Sequence, residues 1–239
     1  NSGSNLQGAV SRLKELRKSI LLGVYINLIL LHILPIWLSN VFVTLTGPTH
    51  SYSGALIRQI LLDEGIANQF FAMLSVPPPN CFIHIIQALF NGIINEGVLD
   101  KLLHSLWIFS FLFLSRSFIL KLNSRADYRP FFMFPFVFSF PFIMGFQNFL
   151  WGIIAILIAM HQLLRLQKGN DTPLKMAFIH AGILLFAYST HLIAFLIIPL
   201  MQIGFLVFHP HKAAFKKYWS SVLIPFSVIV LPAFYLKMH

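Results

Sequence analysis

The 239-residue chain is 57% hydrophobic and only 10% charged, with a mean hydropathy of +0.78; a soluble domain carries about 25% charged residues, so the surplus apolar area is expected to face lipid. The formal net charge of +10 does not point to nucleic acid, because Lys and Arg fall in short clusters between apolar runs and form no contiguous basic footprint. Cys81 is the sole cysteine, which excludes an intrachain disulfide and a cysteine-based metal cage.

In chain order, the opening Asn-Ser-Gly-Ser in place of Met reads as a fragment or a processed form. The first apolar run, about 20–45, has no small-residue cleavage site after it and reads as a retained span. A long segment, about 46–100, follows and is expected to be an outer loop carrying two amphipathic surface helices. The first is 55–62, with Arg58 and Gln59 on its wet side. The second is 82–94, too short to cross, with His84, Gln87, Asn91 and Asn95 in a polar stripe and Phe82, Ile86, Leu89 and Ile93 in an apolar one. Between them Pro77, Pro78 and Pro79 force an extended corner.

Further spans are expected at about 102–120, 131–146, 149–164, 176–190, 192–208 and 219–236. Pro135 and Pro141 are expected to kink the third span, and the polar patch Tyr188 to His191 divides the long run 176–208 into two. Charge bias fixes the count: with 82–94 kept out of the membrane, the segments 1–19, 116–130, 165–175 and 209–218 share one side and hold every basic residue except Arg58, Lys101 and Lys237. The expectation is therefore an all-α, polytopic membrane protein. A single membrane domain covers 1–239, with about seven transmembrane helices, two surface helices and the amino terminus inside.

On this topology three polar elements reach the outer face together: Thr46 to His50 with Glu96, the turn Gly145 to Asn148, and the break at Tyr188 to His191. Polar groups at membrane depth are costly and point to a site; the plainer reading is turn chemistry, with Trp151 as an interface anchor. The ten histidines show no HxxxH or HExxH pattern, and His32, His84, His104 and His161 read as helix-packing residues. No G-x-S-x-G and no phosphate-cradling glycine loop occurs.

The span order, the long first loop and a few short motifs resemble the membrane module of glycosyltransferases with the type C fold. These use polyprenyl-phosphate sugars and include protein O-mannosyltransferases and the lipid A aminoarabinose transferase. The likeness runs from about 20 to 236. In Thr-Gly-Pro-Thr-His, Thr46 stands where the family carries Asp; in FNGIINEGVLDKLL, Glu96 matches the family acid and Lys101-Leu102 its basic pair. Asn148 stands where a further Asp is common, within GFQNF at 145–149, a turn shared with bacterial relatives, and His191 falls where a lysine often sits.

The resemblance implies sugar transfer at the outer face of the bacterial cytoplasmic membrane, with membrane lipid and a polyprenyl-phosphate sugar as partners. Glu96 or His50 would act as base, while Thr46, Lys101, Gln147, Asn148 and His191 would bind substrate. A base or a divalent metal would activate the acceptor, and no other cofactor is implied. With Thr46 and Asn148 in the carboxylate places, a non-catalytic protein of the same fold is the alternative: lipid-binding, scaffolding or a membrane-protein partner subunit. A transporter is weaker, since no inverted repeat is visible.

Overall fold

The computed structural model describes residues 2–40, 42, 44–63, 65–74, 77–123, 128–168 and 172–208. Among these, all regular structure is helical: α1 (Ser2–Leu38), α2 (Gly47–Leu62), α3 (Ala67–Phe70), α4 (Phe82–Phe90), α5 (Glu96–Leu122), a 3-10 helix (Arg129–Phe136), α6 (Phe140–Met144), α7 (Gln147–Lys168), α8 (Pro173–Thr190) and α9 (Leu192–Phe208). The expected span at 219–236 lies outside the described residues.

Three helical stretches are long and apolar enough to cross a membrane: Gln7–Leu38, Glu96–Leu122 and Gln147–Arg165. The shortest, 19 residues, spans about 28 Å at ~1.5 Å per residue, close to a hydrocarbon core of about 30 Å. Leu22, Ile26, Leu30 and Leu34 of α1 are exposed, an apolar surface that water would penalise and lipid accepts. The chain is a helical membrane protein.

Cross-contacts fix the direction of each long helix. α1 runs antiparallel to α5, since Tyr25 donates to the Leu112 carbonyl (2.8 Å), Trp37 to the Ser105 hydroxyl (3.0 Å) and Lys101 to the Ser39 carbonyl (2.6 Å). α7 runs parallel to α5, with Trp107 donating to the Leu150 carbonyl (2.8 Å) and Phe118 beside His161. α8 returns antiparallel, placing the Met176 carbonyl at Gln162 and His191 at Gly152, and α9 descends again alongside α7. The register gathers Lys18, Lys121, Arg165 and Lys175 at one end of the bundle and Thr46, Asn148 and His191 at the other.

The run 131–146, expected as one helix kinked at Pro135 and Pro141, is broken into shorter pieces. Pro135 lacks an N–H and crowds the turn before it, while Pro130 and Pro141 stand in first turns, where proline starts a helix, so the chain forms a 3-10 helix, a turn and the five-residue α6. It still runs alongside α1 in the same direction: Phe131 and Phe134 pack on Tyr25, Phe138 stacks on His32, and Phe142 meets Phe42. Protein covers one face of this irregular backbone, with Pro130, Phe134, Val137 and Phe142 buried, while Phe132, Phe136, Phe140 and Ile143 are exposed on the other.

The first connecting segment also differs from expectation. Thr46 to His50, read as loop, begins α2, because Pro48 in the first turn fits a helix start. The second surface helix ends at Phe90, and its polar stripe is not uniformly wet: Gln87 is fully buried while Leu89 is exposed. Gly54 explains this. A Cβ there would stand 2.4 Å from the Gln87 Cβ and 3.0 Å from the Ala88 nitrogen, so only glycine lets α2 lie this close to α4.

The run 176–208 breaks at His191, whose backbone is extended (φ −159°, ψ 129°). Just before it, Ser189 and Thr190 donate to the Phe186 and Ala187 carbonyls, local bonds that compete with the helix ladder. Below the break, Ala155 and Ala159 let α7 approach Leu184, Ala187 and Ile198 closely. A buried polar bridge closes that packing, as the Gln202 amide lies 3.1 Å from both Gln162 Oε1 and His180 Nδ1. Gln202→Leu removes both contacts and is expected to cost about 0.6–1.7 kcal/mol, read as a lower melting temperature in detergent.

Candidate functional site

At the end of the bundle away from the basic residues, a cavity of about 650 Å³ opens between α2, α4, α7 and the α8–α9 break. The close seat at Gly54 builds its most polar wall. One helical turn before Gly54 lies His50, and one turn before Ala88 lies His84; their rings meet with His50 Nδ1 2.9 Å from His84 Nε2.

The tautomers follow from the neighbours. The nearby Gly145 backbone favours a proton on His50 Nε2, and in that tautomer Nδ1 accepts from His84 Nε2–H. That leaves the lone pair of the pair on His84 Nδ1. Burial, then the neighbouring His84, lowers the His50 pKa from 6.5 to about 4, and burial lowers His84. A depressed histidine pKa means the folded state binds fewer protons than the unfolded one between these values. The stability contributed by the neutral ring is full above 6.5 and is lost as pH falls toward 4. Hydrogen exchange of α2 and α4 is expected to quicken over that window, and His50→Gln to flatten the dependence.

The opposite wall holds His191, which accepts from the Ile193 N–H through Nδ1 (3.2 Å) and packs edge-on against Phe149. Its neutral form therefore carries the proton on Nε2. Asn148 lines the cavity, yet both ends of its amide are engaged: Oδ1 accepts from the Ile83 N–H (2.9 Å) and Nδ2 donates to the Asn80 carbonyl (2.6 Å). It fastens the start of α4 to α7. Thr46 also lines the cavity and donates to the Gly145 carbonyl (2.7 Å). Trp151, expected at a membrane interface, is buried against Phe82.

Thr46, His50, Asn148 and His191 thus share one cavity, and the other expected site residues do not line it. Gln147 turns the opposite way and donates to Asp100 Oδ1. Glu96 accepts from Asn91 (3.2 Å) and faces a second cavity, with Asp100. Lys101 is spent on the Ser39 carbonyl and the Trp37 ring. The sequence reading set His84 aside as a packing histidine; its place in the polar stripe of 82–94 was the one available signal.

A divalent metal does not fit this cavity. The two ring nitrogens closest together face each other, the Asn148 oxygen is taken by a backbone N–H, and the lining side chains include no carboxylate. Among the described residues no cluster of three or more His, Cys, Asp or Glu could hold a metal.

Compared with known proteins, the chain matches no family model, no curated protein and no solved structure.

Proposed function

We propose that this membrane protein crosses the bacterial cytoplasmic membrane seven times with its amino terminus inside, and that the histidine-lined cavity on the outer side takes a polyprenyl-phosphate sugar and transfers the sugar to an acceptor hydroxyl. The basic end of the bundle supports the orientation, since cytoplasmic ends carry the excess of Lys and Arg. The observation that carries the function is the His50–His84 pair facing His191 across one cavity at the far end.

Burial lowers the pKa of both histidines, so at neutral pH both rings are uncharged and can take a proton. The pair can therefore replace the acids absent at Thr46 and Asn148 without placing negative charge beside a phosphate. The acceptor O–H would give its proton to His84 Nδ1 as its oxygen bonds the anomeric carbon. The bond from that carbon to the phosphate oxygen breaks, and the electron pair leaves on the phosphate. His191 Nε2–H would donate to that oxygen. His84→Ala and His50→Ala are each expected to reduce transfer at least ~10²-fold while the protein remains folded, measured with a radiolabelled lipid-linked sugar. Turnover unchanged in both variants would refute the assignment.

A second reading is favoured by one observation: the lining of this cavity includes no Asp, Glu, Lys or Arg. A protein that binds a lipid headgroup as a scaffold or partner subunit needs no such residue. Saturable lipid binding by the wild type without turnover supports this reading over the first.

A further inference from the structure

Beside the histidine cavity lies a second one of about 370 Å³, walled by Phe42, Pro48, Tyr52 and Ala55, floored by the buried Thr44 and Asp100, with the exposed Glu96 at its edge. We infer that it binds a primary ammonium group, with Asp100 and the Thr44 hydroxyl as its buried acceptors and Glu96 at the rim. The inference stands apart from the proposed sugar transfer, since the two cavities share no lining residue although α2 lies between them.

Asp100 is only 6% exposed, and a buried carboxylate needs a partner of opposite charge or a full set of donors. It has neither. Oδ1 takes the Gln147 amide, but Oδ2 is 3.7 Å from His104 Nδ1, beyond hydrogen-bond reach. That ring nitrogen instead donates to the Asp100 backbone carbonyl (2.9 Å), leaving His104 in need of no charge. Oδ2 lies on the cavity side, 3.5 Å from where a Gly47 Cβ would stand.

The second, independent sign is Thr44. It is 4% exposed, its Oγ1 has no hydrogen-bond partner, and it lines the same cavity. The oxygen sits between two glycines, 2.7 Å from a Cβ built on Gly47 and 2.3 Å from one on Gly145. No side chain could occupy either position while the hydroxyl stays there.

The size and lining distinguish an organic cation from a metal ion. A naked hard cation seeks six or more oxygens at about 2.0–2.6 Å; here the volume is many times larger and most of the wall is aromatic or aliphatic. An ammonium has three donors for Asp100, Thr44 and Glu96, and its carbon stem suits Pro48 and Ala55. The Tyr52 and Phe42 faces favour the positive charge. An ethanolamine lipid headgroup and a small free amine share this chemistry.

The test uses the full chain in detergent, titrated with ethanolamine and, as the uncharged isostere, ethylene glycol, with binding read by calorimetry. Ethanolamine is expected to bind saturably and ethylene glycol not at all, with affinity falling at least tenfold in Asp100→Asn and in Thr44→Val. Thr44→Val keeps the carboxylate and serves alone if the Asp100 variant does not fold. In nanodiscs of mixed ethanolamine and glycerol phospholipids, ethanolamine lipid retained by the wild type and lost from Thr44→Val identifies the headgroup as the source; loss from neither identifies the free amine. Equal binding of the two isosteres, or wild-type affinity in both variants, overturns the inference.

Discussion

Gly54→Ala is expected to destabilise the protein by about 3 kcal/mol, the upper range for forcing atoms into a filled space, and to separate His50 from His84. The sign makes the result diagnostic. Within a helix, Gly→Ala ordinarily stabilises by about 1 kcal/mol through backbone entropy. At Gly54 the added carbon meets the Gln87 Cβ at 2.4 Å and the Ala88 nitrogen and Gln87 carbonyl carbon at 3.0 Å, and backbone cannot rotate away. α2 and α4 must move apart, and the histidine pair one turn earlier parts with them. Gly182 in α8 is the control: a Cβ there meets nothing within 4 Å, so Gly182→Ala is expected to be neutral or stabilising. Thermal unfolding of the two variants in one detergent makes the comparison, and equal behaviour would remove Gly54 as the seat of the site.

Asn148→Asp is expected to cost about 2–3 kcal/mol at pH 7, the penalty for leaving a buried polar group unpaired. The new carboxylate can still accept from the Ile83 N–H. Its other oxygen, however, replaces a donor and faces the Asn80 carbonyl at 2.6 Å. Only the protonated acid restores that bond, so the variant's carboxyl would hold its proton more tightly when folded than when unfolded. A raised folded pKa gives stability that is present at low pH and lost as pH rises. The variant should therefore approach wild-type stability near pH 4 and fall away toward neutrality, with α4 loosened first in hydrogen exchange. A carboxylate at this position would thus unfasten the helix that bears His84.

The sequence and the structure part company where a side chain's direction depends on its neighbours. Alternating polar patches placed Thr46, His50, Asn148 and His191 in corners of the chain that one cavity joins. Gln147 and Asn148 are adjacent, and both looked suited to one site; successive residues on a helix point about 100° apart, so Asn148 lines the histidine cavity while Gln147 is buried against Asp100. Glu96 is diverted for a similar reason, since its place on α5 faces Asp100 and not His50. Gln87 satisfied the spacing of a wet stripe, but periodicity carries no information about the notch that Gly54 opens opposite it. The run 131–146 was legible as apolar, whereas its backbone form depends on three prolines and on Tyr25, His32 and Phe42 alongside.

That proline-rich passage bears on how the molecule is made. Residues 129–146 form only a 3-10 helix, a turn and a five-residue α-helix, so the backbone groups at the ends of these short pieces would enter lipid alone at a cost of several kcal/mol for each bare amide. α1 and α5 are long, self-sufficient helices and can insert one after the other as they leave the ribosome. The passage between them and α7 must then be threaded along the groove they form, which makes biogenesis stepwise and gives Tyr25 and His32 the part of a template for a neighbour not yet in place.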